Sequence, residues 1–317
     1  LLDSPPDPMW LFSAAEYLFR SDDRGDSWRK VSPDLTRQID RNKLEVMGRV
    51  WGVDTIAKND STSMYGAAIM ISESELQEGL IYVGTDDGVI NITEDGGKSW
   101  SRTTRFAGVP DMTYVDDVQA SMHDVNVVYA VMENHKRGDN KPYVLKSTNK
   151  GKSWKSIASN LPTNGFAHTI AEDHIDPNLL FLGTEQGVFV TQNGGKSWTQ
   201  MRNNLPTIAV RDIEIQRREN DLVVGTFGRG IYIVDDYSPL RTQARDLGAF
   251  QLFAPRDPWL FIEGGVWGGV EKGSIGHAFF TAPNPEFGAG FRYYVKDGSR
   301  TKRQIRRTAE IAIENEG

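Results

Sequence analysis

An all-β architecture built from a repeated antiparallel unit is the fold class this sequence predicts, and three observations predict it. First, a turn of the form Ser/Thr-x-Asp/Asn-x-Gly-x-Ser/Thr-Trp recurs as Ser21–Trp28, Thr93–Trp100, Ser147–Trp154 and Thr191–Trp198. Second, a hairpin pattern precedes each copy. In the clearest one, Leu179–Leu182 and Val188–Val190 are short apolar runs about the Gly-rich turn 183–187. Third, the chain of 317 residues is 38% hydrophobic and rich in Gly, with no apolar run near the ~20 residues of a membrane helix. A motif recurring in register along a chain marks an internal repeat, and the repeat decides the architecture.

The recurrent turn, here the box, reads as structural chemistry. Asp23, Asp95, Asn149 and Asn193 accept hydrogen bonds from backbone N–H groups further along, as Asx turns do. The following Gly supplies positive φ, and Trp28, Trp100, Trp154 and Trp198 are expected to bury their rings between neighbouring units. Asp-x-Gly also marks calcium loops, but each box has too few oxygen ligands and two carry Asn, so no metal is expected.

Taken in order, Met9–Ala14 and Tyr17–Arg20 form the hairpin before the first box, with no innermost strand ahead of them. Residues 29–63 read as a long polar connection, an excursion of the kind that is usually functional. The second unit has strands at Tyr65–Ser72, Leu80–Gly84 and Val89–Ile92; the third has Tyr114–Ala120, Val127–Met132 and Tyr143–Lys146 about a wider hairpin. The fourth adds Phe166–Ala171 to the hairpin above, and the fifth runs through Val210–Ile215, Asp221–Gly225 and Gly230–Val234 without a box. Box tryptophans 72, 54 and 44 residues apart suit four-stranded units with loop insertions. Such units close radially around a channel as a β-propeller; a β-sandwich would not repeat one turn in register.

The boxes resemble those of Asp-box β-propellers of the sialidase, sortilin and xyloglucanase type. Gly84-Thr85-Asp86-Asp87-Gly88, Val210-Arg211-Asp212 and the run 225–236 look like one branch of these, large secreted bacterial proteins labelled glycosyl hydrolases. The resemblance implies a propeller over residues 1–240, followed over 241–317 by the start of a small β-sandwich. Within that second segment, strands are expected at Phe250–Pro255, Trp259–Glu263, His277–Thr281 and Gly290–Val295, and a helix at Thr301–Glu314. The basic cluster at the helix start reads as a solvated face.

In boxed blades the box lies on one face of the disc and the turn between second and third strands on the other, where propellers bind ligands. Asp87, Tyr114, His135, His168, Glu185, Arg211, Asp212, Phe227 and Arg229 are expected there, with Asp86, Asp116 and Asp117 as catalytic candidates. Acids flanking a channel mouth are what a glycoside hydrolase needs, and equally what a glycan- or protein-binding surface needs. Asp87, Asp117 and Asp212 also read as turn or strand residues bonded to backbone, and Arg229 as an ion-pair partner. Neither His135 nor His168 has a nucleophile in context, and no phosphate loop, zinc signature or dinucleotide fingerprint occurs, so no cofactor is expected. The sialidase Arg-Ile-Pro motif is absent, and only Arg211 and Arg229 fall near the mouth.

Residues 1–240 carry 25 basic and 34 acidic side chains, hence −9, and 241–317 carry 11 and 9, hence +2. The acidic body argues against nucleic acid as partner. Cysteine is absent, which excludes disulfides and thiol chemistry. Two functions are consistent with these residues: an exported recognition propeller for protein or glycan, secreted or at a bacterial cell surface, or a hydrolase cleft completed by sequence upstream. The truncated first unit and the short tail predict a piece of a longer polypeptide, covered natively by more of its own chain or another subunit. Val89, Val118, Ile213 and Val234 should be buried between blades, and Met9–Phe12 should border a gap or a foreign chain.

Overall fold

The short apolar runs and box turns fold into the strands they predict. The computed structural model describes every residue except 1, 8, 59–64, 203, 243–245, 259, 261–286, 297–300 and 317. Residues Leu1–Arg241 form one unit and Thr242–Gly317 another. The first unit is all-β, a β-propeller of five antiparallel blades in which successive strands pair from the channel outward. Blade 1 contains Leu2–Asp3, Leu11–Ala14, Leu18–Ser21 and Arg29–Lys30. Blade 2 contains Ala68–Glu73, Ile81–Thr85, Ile90–Thr93 and Ser101–Thr103. Blade 3 contains Tyr114–Ala120, Val128–Asn134, Asp139–Ser147 and Lys155–Ser156. Blade 4 contains Ala167–Glu172, Leu180–Thr184, Gly187–Thr191 and Thr199–Gln200. Blade 5 has three strands, Val210–Gln216, Asp221–Thr226 and Ile231–Val234.

Blade 1 corrects one expectation. Its inner-strand slot is filled by Leu2–Asp3, paired with Phe12 and Leu11. The physical reason is a side-chain latch at the end of that strand. Ser4 donates to the buried Glu73 of blade 2 at 2.5 Å, as Ser121 of blade 3 donates to the buried Glu172 of blade 4 at 2.9 Å. Phe12 is accordingly fully buried against blade 2 rather than bordering a gap, while Met9 is exposed.

Each neighbouring pair of blades encloses its own apolar core. Blades 1 and 2 share Phe12, Leu18, Leu35 and Val83; blades 2 and 3 share Tyr82, Ile90, Val118 and Met132. Blades 3 and 4 share Tyr129, Val131, Ile170 and Leu182; blades 4 and 5 share Phe181, Val190, Ile213 and Val224. Among the described residues no such cluster joins blade 5 to blade 1. Ile231 and Ile233 on the last strand are 72% and 60% exposed, and Val234 is half-buried where burial was expected. Val89, Val118 and Ile213 are buried.

The long connection after the first box is less polar than its sequence reads. Val31 and Leu35 enter the core of blades 1 and 2, and beyond them Glu45–Val46 pairs with Arg49–Val50 in a small exposed hairpin. In the second unit, Phe250–Leu252 pairs antiparallel with Tyr293–Val295, shorter than predicted, and a helix spans Lys302–Glu316. The strands predicted at 259–263 and 277–281 lie outside the described residues, Leu260 apart. Ile305, Ile311 and Ile313 of the helix are exposed, and Arg306 pairs with Glu310 one turn on.

Candidate functional site at the channel mouth

The four complete inner strands share an irregularity that aims side chains at one place. Register against the second strand slips by one residue between Ala68 and Met70, Val115 and Asp117, Ala167 and Thr169, and Val210 and Asp212. The extra residues are Ile69, Asp116, His168 and Arg211. A bulge leaves its extra residue unpaired and re-aims it, and here the same device occurs in four adjacent blades. A second set comes from the turns after the second strands. The N–H groups of Asp86, Glu185 and Phe227 bond back to the carbonyls of Ala67, Phe166 and Ala209 just ahead of the inner strands. The two sets converge on the mouth of a channel of about 750 Å³ lined by all five blades.

At its centre the His168 ring, only 2% exposed, lies between two carboxylates: Nδ1 is 2.7 Å from Asp116 Oδ2, and Nε2 is 2.8 Å from Glu185 Oε1. Arg211 closes the group, with Nη2 3.3 Å from Glu185 Oε1 and Nη1 3.1 Å from His168 Nδ1. A proton on Nδ1 can be donated to Asp116, whereas a bare Nδ1 accepts from Arg211, so the cluster has two hydrogen-bonding arrangements. Rings frame it. His135 stacks on Phe166 at 4.7 Å, Phe166 meets His168 edge-on at 4.9 Å, and the Arg211 guanidinium lies 5.4 Å from the exposed Phe227 ring. His135 also bonds Glu133 through Nδ1. Lys136 sits 4.8 Å over the Tyr114 ring; burial, with Asp116, Glu133 and Asp86 nearby, pushes the Tyr114 hydroxyl up to about 12.

The catalytic candidates are held internally. Asp86 accepts from the N–H groups of Gly66 and Ala67 at 3.0 and 2.7 Å, and burial nonetheless raises its carboxyl above the usual range. Buried Asp117 accepts from Thr169 Oγ1 and Ile170 N at 3.0 and 2.9 Å and so ties blade 3 to blade 4; desolvation pushes it up to about 6. Asp87 is fully buried, accepting from Thr85 Oγ1 and Arg37 N, which makes it part of the turn. Asp212 and Arg229 are both exposed, and among the described residues neither the backbone bond expected of the first nor the ion pair expected of the second is seen. Phe166 and Glu133 were missed by sequence reasoning. Aligning the inner strands on the box would have shown the shared bulge position and, just ahead of it, Phe166. Among the described residues no group of His, Asp and Glu could hold a metal.

The opposite face carries the boxes, and all four share one geometry. The Asp or Asn Oδ1 accepts from the first hydroxyl at 2.7–2.9 Å and from the Ser N–H four residues on at 2.8–2.9 Å. Gly97, at φ +97°, lies so close to Val31 that a Cβ would meet its carbonyl. Trp154 and Trp198 are buried, Trp100 is half-buried, and Trp28, against expectation, is 41% exposed. The Trp28 box precedes the outer strand Arg29–Lys30, and among the described residues no other blade packs on it there.

Solved structures share this fold. An ancestral GH74 enzyme superposes with a TM-score of 0.53 at 14% identity, over 73% of this chain and 29% of its own. The GH74 xyloglucanase from Xanthomonas campestris gives 0.50 at 20% identity, over 82% of this chain and 40% of its own. The Niastella koreensis GH74 enzyme gives 0.48 at 17%, over 74% and 29%. This chain therefore spans well under half the length of these enzymes. At such identities the first two likenesses establish the β-propeller and nothing finer. No protein-family model matches the chain. No curated protein matches it either.

Proposed function

We propose that this chain is an exported recognition propeller, binding a protein or glycan ligand at the channel mouth opposite the boxes. The observation that carries the reading is the bulge cluster of Asp116, His168, Glu185 and Arg211, ringed by aromatic faces. Its polar atoms satisfy one another, which presets their geometry for a ligand at little ordering cost. Exposed carboxylates such as Asp212, with the Phe227 ring, offer hydrogen-bond acceptors and a stacking face.

The alternative is a glycoside hydrolase, whose acid and base flank a scissile bond. Asp86, Asp116 and Asp117 are its candidates, but all three are occupied by the protein's own groups, so recognition is preferred. Secretion or display at a bacterial surface follows from the family resemblance, and no described helix is long and apolar enough to cross a membrane. The exposed Ile231–Ile233 face of blade 5 supports cover by further protein, from the same polypeptide or another subunit.

The test is a glycan array and a peptide library probed with the chain, followed by His168→Ala and Arg211→Ala. Each variant should weaken binding about tenfold or more, as loss of a central contact does. Reducing ends released from a polysaccharide panel, and lost with Asp116→Asn, would instead establish the hydrolase.

A further inference from the structure

Box-face packing differs from seam to seam, and one seam opens into a cleft that the mouth does not explain. The hairpin register makes Trp10, Leu80, Val127 and Leu179 equivalent, each just ahead of a second strand. The residues before the four boxes are Arg20, Ile92, Lys146 and Val190. In blades 2 and 4 both positions are apolar and enter the core shared with the next blade. In blade 1 they hold Trp10 and Arg20, and the guanidinium stacks on the indole 3.1 Å from its centre. Beside this pair, with the box of blade 2 seated on Val31, lies a cleft of about 700 Å³.

Four cations line that cleft, Arg20, Arg29, Lys30 and Lys98, together with the rings of Trp10 and Trp100. Arg20 and Arg29 are oriented by one shared carboxylate, Asp22, at 2.5–2.9 Å. Trp100 is fixed by donating to the carbonyls of Val31 and Gly97, both at 3.1 Å. Lys98 has no ion-pair partner among the described residues. Of the two lining carboxylates, Glu78 is exposed and Asp95 accepts from Ser99 and Thr93 inside its own box. With Asp22 counted, four cations stand against three carboxylates, an excess of one positive charge on a body that carries −9 over residues 1–240.

We infer that the cleft between blades 1 and 2 is a second binding site, for an acidic saccharide. A pyranose has an apolar ring face for an indole and a polar edge; a carboxylate or sulfate on that edge meets the lysine and arginine donors. The walls of the cleft are two indoles, one carrying the Arg20 guanidinium on its face and one packed on the core, among mostly polar and charged residues, which disfavours an aliphatic side chain and hence a peptide.

The experiment measures affinity of the full chain for oligogalacturonate, sulfated dextran oligomers, neutral dextran, inorganic sulfate and a phosphoserine peptide. Binding of at least one acidic saccharide is expected, weakened about tenfold by Lys98→Glu or Arg29→Glu and strongly reduced near 1 M salt, where the screening length falls to roughly 3 Å. The galacturonate and dextran arms separate carboxylate from sulfate recognition. Both substitutions sit on the rim, and an unchanged melting temperature confirms that the fold is intact. His168→Ala should leave this binding unchanged, so failure here is distinct from failure at the mouth. The inference is overturned if no acidic saccharide binds, if neutral dextran or inorganic sulfate binds as tightly, if the phosphopeptide binds better, or if neither charge reversal has an effect.

Discussion

Between blades 3 and 4, Trp198 is 4% exposed and packs with Val127, Leu161 and Phe189; between blades 1 and 2, Trp100 stands half-buried at the edge of a charged cleft. Both tryptophans end the same turn, and both turns make the same internal hydrogen bonds. What differs is the neighbouring blade. In blade 3 Lys146 also precedes a box, but its ammonium lies over the Tyr129 ring and Val127 fills the position that Trp10 takes in blade 1. The comparison teaches that the box is a closed local device, whereas the blade beside it decides whether its Trp becomes core or cleft wall.

The largest expected effect is in the closed seam. Trp198→Ala should cost about 3–5 kcal/mol in a urea melt, because a buried ring leaves a cavity that packed strands cannot fill. Trp28→Ala, at an exposed position, should cost under about 1 kcal/mol. Equal losses at the two would break the distinction.

Next comes the tie between blades 3 and 4. The Asp117 carboxyl is raised in the folded state to about 6 from 3.8. Its contribution is fully present below the unfolded value and is lost as pH rises through about 6, where the buried group must ionise. Asp117→Asn keeps an oxygen for Thr169 and Ile170 without that ionisation. The variant should therefore gain on the wild type between pH 4 and pH 7, by on the order of 2 kcal/mol. Parallel stability profiles for the two proteins would refute the assignment.

A smaller loss is expected within the boxes. Asn193→Ala leaves the Ser197 N–H without its acceptor and should cost about 1–2 kcal/mol, while ligand binding at the mouth stays unchanged. Loss of binding without loss of stability would give the boxes a functional role. Smallest of all, Asp95→Asn should be close to neutral, because Asn193 makes the same Oδ1 bonds and its amide donates to Ser197 where Asp95 accepts from Ser99.

The boxes, hairpins and blade order were legible in the sequence because their chemistry is local. An Asx oxygen, a glycine at positive φ and a hydroxyl four residues on find one another whatever surrounds them. Short apolar runs likewise marked the first three strands of blades 2 to 5, but they missed the short outer strands Arg29–Lys30, Ser101–Thr103, Lys155–Ser156 and Thr199–Gln200, and Leu2–Asp3, which is only two residues long and is secured by the distant Glu73. The mouth was only partly legible. His168, Asp116, Glu185 and Arg211 could be nominated one by one, but that they form a single cluster depends on a register slip repeated across blades and on partners 17 to 52 residues apart. The fate of each box tryptophan was not legible at all, since burial is a property of the seam. The sequence alone therefore determined the repeat and its turns, through contacts within a few residues. Tertiary structure decided which repeats close on each other and which side chains meet at the mouth, because those contacts exist only once separate blades are set side by side.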